Sequence, residues 1–150
     1  MVLRTSEALP ALYEADETAW LESMAELIRE GRTQDLDYAH LQDYLTDMAK
    51  RDKREVQSRL VTLLAHLLKW SHQPTIRTGS WHATILAQRC ELEDLLESGV
   101  LCRHAAEVLS MAYRRALQQA TIETGIPVNS FPAECPYSLQ QILNQDLQAD

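Results

Sequence analysis

Val56, Leu60, Leu63, Leu64 and Leu67 recur at steps of four, three, one and three residues. That spacing puts five branched aliphatic side chains on one face of an α-helix, whereas a strand would scatter them over both of its faces. A helix with such a stripe must bury it against other helices. Neither Gly nor Pro occurs between Gly31 and Pro74, and Gly99 alone interrupts the stretch from Ser80 to Thr124. Long helices are therefore permitted through most of the chain, and the four Gly and five Pro leave few long loops. Leu, Ala, Glu, Gln and Arg favour helices. Val, Ile and Thr are too sparse for a large sheet.

At 150 residues, a chain buries roughly 70% of the surface its unfolded form exposes, enough for a core without staples. The expected architecture is all-α: a compact single-domain bundle of five to six helices with no sheet. Residues 1–12 read as an N-terminal tail and 13–147 as one helical domain.

A first helix over about Glu14–Glu30 carries Trp20, Met24, Leu27 and Ile28 on one face. Asp16 and Glu17 sit in its first turn, and Gly31 stops it. Asp37 caps a second helix striped by Tyr38, Leu41, Leu45 and Met48. Asp52 and Glu55 resemble a capping box, which predicts a break near Arg51–Asp52; one continuous helix is the alternative. The third helix, which carries the aliphatic stripe, ends by about Ser71, because Pro74 follows. After a loop over 72–79, Ser80 caps a fourth helix with Trp81, Ile85, Leu92, Leu95 and Leu96, ended by Gly99. The fifth, over about Leu101–Thr124, presents Ala105, Val108, Leu109, Ala112, Ala116 and Ala120, small enough for a neighbour to approach closely. Gly125 and Pro127 stop it. Ser138 caps a last helix from Leu139 to about Leu147.

Several segments together resemble a known bacterial family. They are His66-Leu67-Leu68-Lys69-Trp70, Gln73-Pro74 and Ser80-Trp81 at the centre, and Leu12-Tyr13-Glu14-Ala15-Asp16 with Trp20-Leu21 at the start. Glu123 to Pro127 and Phe131 to Leu139 match its end. The family is domain of unknown function 29, and the likeness covers roughly residues 12–147. It implies a helical fold and carries no activity, cofactor or site. The chain departs from the family pattern at His72, where an aromatic residue is common, and at His82, where a basic one is.

No stretch approaches the roughly 20 apolar residues of a membrane span. The N-terminal segment lacks the apolar core of a signal peptide. Cys90, Cys102 and Cys135 form no close pair, as suits reduced thiols, so a cytoplasmic location is expected. No His/Cys spacing matches a metal motif, and neither a metal nor a cofactor is expected.

The net charge of −8 is uneven. Eleven acids and three arginines precede position 50, whereas eight Lys/Arg face two acids between 50 and 89. The expected outcome is that acidic helices or a second subunit neutralise the basic segment, of which Lys50, Arg51, Lys53 and Arg54 are the candidate binding residues. Trp70 and Trp81 flank Pro74; the expectation is that the rings pack on each other or on the first helix and pin the loop. If exposed, all three would form a binding surface. Arg59 and His66, about two helical turns apart, are the candidate catalytic pair. Arg followed at this distance by His resembles metal-independent helical ribonucleases of the HEPN type, in which Arg would hold a phosphate and His would move a proton. Arg77 and His82 share the spacing, so the pattern is not specific. The sequence thus favours a non-enzymatic interaction module that binds a protein partner or a second copy. The alternative is a nucleic-acid-acting protein, either such a ribonuclease or a toxin–antitoxin component.

Overall fold

A computed structural model describes residues 8–147. Among them are six α-helices and no strand: α1 (Leu9–Ala15), α2 (Glu17–Arg29), α3 (Tyr38–His72), α4 (Gly79–Leu95), α5 (Gly99–Thr124) and α6 (Leu139–Asn144). Single 3-10 turns cover Thr33–Asp35, Pro74–Ile76 and Val128–Ser130. The expected all-α class is what the chain adopts. Its contacts divide it into two units, with the boundary inside α3 between Lys50 and Arg51, and each unit has its own core.

In the first unit, the expected tail is corrected. Residues 1–7 lie outside the described residues, but Leu9 starts a helix and is fully buried. The single first helix is also two helices. Asp16 leaves helical geometry and its carboxylate accepts the Ala19 amide at 3.1 Å, so it caps α2 instead of sitting inside a longer helix. Leu9, Trp20, Met24 and Leu27 form the core. Trp20 is edge-on to Tyr13, with ring centroids 4.8 Å apart. Its Nε1–H donates to Asp37 Oδ2 at 3.2 Å. Asp37 is itself buried; its Oδ1 caps α3 at the His40 amide, and its Oδ2 also accepts from His40 Nδ1 at 2.7 Å.

The expected break at Arg51–Asp52 does not occur: α3 runs unbroken for 35 residues. Glu55 does not close a capping box but reaches one turn forward to Arg59. With no Gly or Pro, nothing in this stretch opposes the helix.

In the second unit, Val56, Leu60, Leu63, Leu64 and Leu67 are all buried, as their spacing predicts. The part of α3 from Arg51 on packs with α4 and α5. Arg59 reaches Gln88 and Glu91 of α4, and Lys69 reaches Glu123 near the end of α5. Ala105, Ala112, Ala116 and Ala120 are completely buried. Two caps differ from expectation. Thr78, not Ser80, caps α4, accepting the Trp81 amide at 3.1 Å. Gly99 does not end α4, which stops at Leu95; it is the first residue of α5, capped by Ser98. Gly125, at φ +74°, closes α5 in the left-handed conformation that glycine adopts freely.

Residues 126–147 form a strap fastened side chain by side chain. Phe131 packs tilted against His72, ring centroids 4.6 Å apart, and Tyr113 Oη donates to Pro132 O at 2.6 Å. Tyr137 Oη meets Ser71 Oγ at 3.1 Å. Arg89 Nε donates to Ile142 O at 2.8 Å, and Trp70 Nε1 to Leu147 O at 3.1 Å. Within the strap, Ser138 and Gln141 make a reciprocal capping box on α6, which ends at Asn144. Ser138→Ala removes one half of that box and should cost about 1 kcal/mol. Urea unfolding checks it; a loss below about 0.3 kcal/mol would mean the strap is held without its cap.

Candidate anion-binding groove

Along the second unit, α3 and α5 run in the same direction, and their exposed sides enclose an open groove of about 420 Å³. Arg54, Gln57, Ser58, Val61 and Thr62 line it from α3, at helical spacings of three and four, and Arg115 and Gln119 line it from α5. Arg54 and Arg115 are exposed, and among the described residues neither forms an ion pair or hydrogen bond. No carboxylate lines this groove. Ser58, Gln57 and Gln119 add neutral hydroxyl and amide groups, although Gln119 Nε2 already donates to Glu123 at 3.1 Å. Thr62 Oγ1 donates back to Ser58 O. The arrangement offers two guanidinium forks beside neutral donors, a set that suits phosphate or carboxylate oxygens.

The residues singled out in the sequence fall elsewhere, with Arg54 the exception. Arg59 and His66 are not brought together. Seven residues of helix separate them by about 10 Å along the axis. Arg59 Nε donates to Glu55 at 3.0 Å and Nη1 to Gln88 at 3.2 Å, and Nη2 lies 3.7 Å from Glu91. Its guanidinium is thus occupied by two carboxylates and an amide. His66 is half-buried, and Nδ1–H donates to Thr62 O at 2.8 Å. Burial pushes its pKa down, and Lys69 adds to that effect, so the ring is neutral near pH 7.

Lys50, Arg51, Lys53 and Arg54 are all exposed on α3. Lys50, Lys53 and Arg54 make no ion pair among the described residues. Lys53 and Arg54 serve different surfaces. Lys53 lines a smaller hollow of about 220 Å³ with Val100, Arg103, His104 and Glu107, whose carboxylate offsets part of the charge.

The two indoles take different neighbours. Trp70 carries the Arg77 guanidinium at 4.7 Å from its ring centre and His82 at 5.6 Å. Trp81 carries the Lys69 ammonium at 5.0 Å. Lys69, buried among apolar residues, pairs with Glu123 Oε2 at 2.7 Å. Pro74 starts an exposed 3-10 turn. Trp70 and Trp81 are thus each covered in part by basic side chains, and neither ring packs on the other.

A third hollow, about 500 Å³, lies between α5 and the strap and includes Tyr113, Arg114, Glu134, Cys135 and Tyr137. Burial pushes the Tyr113 phenol up to about 12 and raises the Cys135 thiol, so both are protonated at neutral pH and neither is an activated nucleophile. Among the described residues, no cluster of three or more His, Cys, Asp or Glu could hold a metal ion, and no helix is long and apolar enough to cross a membrane.

No motif in the sequence marks Arg115, Gln119, Gln57, Ser58 or Thr62 as site residues. Positions 54, 58 and 62, and 115 and 119, do repeat at four-residue steps. What was hidden was the alignment of α3 with α5.

The family model described as domain of unknown function DUF29 matches residues 12–148, and the chain belongs to that family. No curated protein and no solved structure matches it.

Proposed function

We propose that this DUF29 member is a non-enzymatic binding module, working in a reducing cytoplasm, that receives an anionic partner in the groove between α3 and α5. One observation carries the reading. Arg54 and Arg115 share a groove without a carboxylate, while Arg59 and Lys69 are bonded to carboxylates and Arg89 to a carbonyl. Cations that hold the framework cannot also serve a ligand; these two are uncommitted. Like charges on one groove repel, and an anion between them relieves that repulsion. The ribonuclease alternative loses support, because its phosphate-holding group, Arg59, is engaged by Glu55 and Glu91.

Titration calorimetry with polyphosphate and with poly-glutamate at low salt tests the proposal. Binding of at least one of them is expected, with affinity falling at least tenfold in Arg54→Ala/Arg115→Ala. Both side chains are exposed, so the melting temperature should stay within a few degrees of wild type. No binding of either polyanion, or equal binding by the double variant, would overturn the proposal.

A further inference from the structure

Resting on that reading, we infer that the partner is the sugar–phosphate backbone of a nucleic-acid duplex, held without regard to sequence. Three features of the groove select this class.

The first is its length. From Arg54 to Thr62 the groove follows eight residue steps of α3, about 12 Å of helix axis. That is long for one phosphate group. A duplex strand presents a phosphate about every 3.4 Å of its axis, so several fall within reach.

The second is its lack of large aliphatic side chains. Val61 is the one aliphatic residue in the lining. A protein helix docking here would need an apolar centre to the interface, and the groove supplies none of useful size. Hydroxyls and amides between two guanidinium groups instead match a backbone in which charged phosphates alternate with neutral sugar oxygens.

The third is the kind of side chain. The lining holds no aromatic ring on which an unpaired base could stack. Proteins that grip single strands combine a basic track with such platforms. Chain-wide charge limits the strength of binding: at −8 overall, attraction for a polyanion is local to the groove, so affinity is modest and reduced by salt.

The test uses the full chain and four probes at matched concentration: a short labelled RNA duplex, the DNA duplex of the same sequence, the single strands, and poly-glutamate. Two neutralised phosphates predict a log–log salt slope of about −1.8, which is roughly a twelvefold loss between about 50 and 200 mM salt. Arg54→Gln and Arg115→Gln should each flatten the slope by about 0.9, whereas Arg54→Lys should retain it. A helical circular-dichroism spectrum and an unchanged melting temperature certify each variant as folded. Binding of either duplex with these slopes supports the inference, and comparison of the two tells RNA from DNA. Single strands bound more tightly than both duplexes would overturn it. So would Arg54-dependent binding of poly-glutamate without duplex binding, an outcome that leaves the groove itself as an anion site. Failure to bind any of the four overturns the inference, and if polyphosphate is not bound either, the proposed function falls with it.

Discussion

Trp20→Ala should destabilise the first unit by about 3–5 kcal/mol, the range for emptying a buried aromatic site. Trp20 is completely buried, and Tyr13 packs against it edge-on. Removing the ring also leaves Asp37 Oδ2 with one side-chain partner in place of two. Trp20→Phe separates the two effects. It keeps most of the buried area, so the lost Nε1–H bond and a small cavity together should cost about 1–2 kcal/mol, since His40 still donates to the same oxygen. Hydrogen exchange resolved by segment is the suitable measurement, because the chain has two cores. Protection in α1 and α2 should collapse in the alanine variant and fall slightly in the phenylalanine one. Unchanged protection in Trp20→Ala would show that Leu9, Met24 and Leu27 suffice without the indole.

Trp20 also marks the limit of what the sequence discloses. Its place on the buried face of α2 follows from the spacing with Met24 and Leu27. Its bond to Asp37 does not, because the two are 17 positions apart and on different elements. Asp37 was legible as a cap, since capping is local, but its burial was not. The same division holds in the second unit. The Leu60–Leu67 stripe and the alanine face of α5 were readable because helical period is a property of neighbouring residues. The continuity of α3 was misjudged, since Asp52 and Glu55 fit a helix start and a helix interior equally well. Of the candidate site, only Arg54 was visible. Arg115 became its counterpart through the alignment of two helices, and no local pattern encodes that alignment. Charge counting has the same limit: it does not tell that Lys53 lies beside Glu107 while the groove of Arg54 has no carboxylate in its lining.

Glu123→Gln should cost about 2 kcal/mol at neutral pH, somewhat less than the 3–5 expected when a fully buried pair is broken. Lys69 Nζ lies 2.7 Å from Glu123 Oε2, and the lysine side chain is 9% exposed against 38% for the glutamate. The substitution leaves an ammonium among apolar residues with a weaker acceptor and its contact to the Trp81 ring. The effect has a defined pH dependence. The hydrogen bond from Lys69 holds the Glu123 carboxyl below its ordinary pKa, although burial opposes the shift. A carboxyl depressed in the folded state contributes stability that is full above the unfolded value and lost as pH falls through the folded one. Wild type should therefore exceed Glu123→Gln by its full margin at pH 7, and the margin should shrink progressively below the ordinary glutamate range. Lys69→Met in the Glu123→Gln background should recover most of the loss, because a methionine of similar length needs no countercharge. Urea unfolding of the three variants across acidic and neutral pH reads all of this. A margin that stays constant into the acid range, or no recovery in the double variant, would show that the pair contributes packing and not charge.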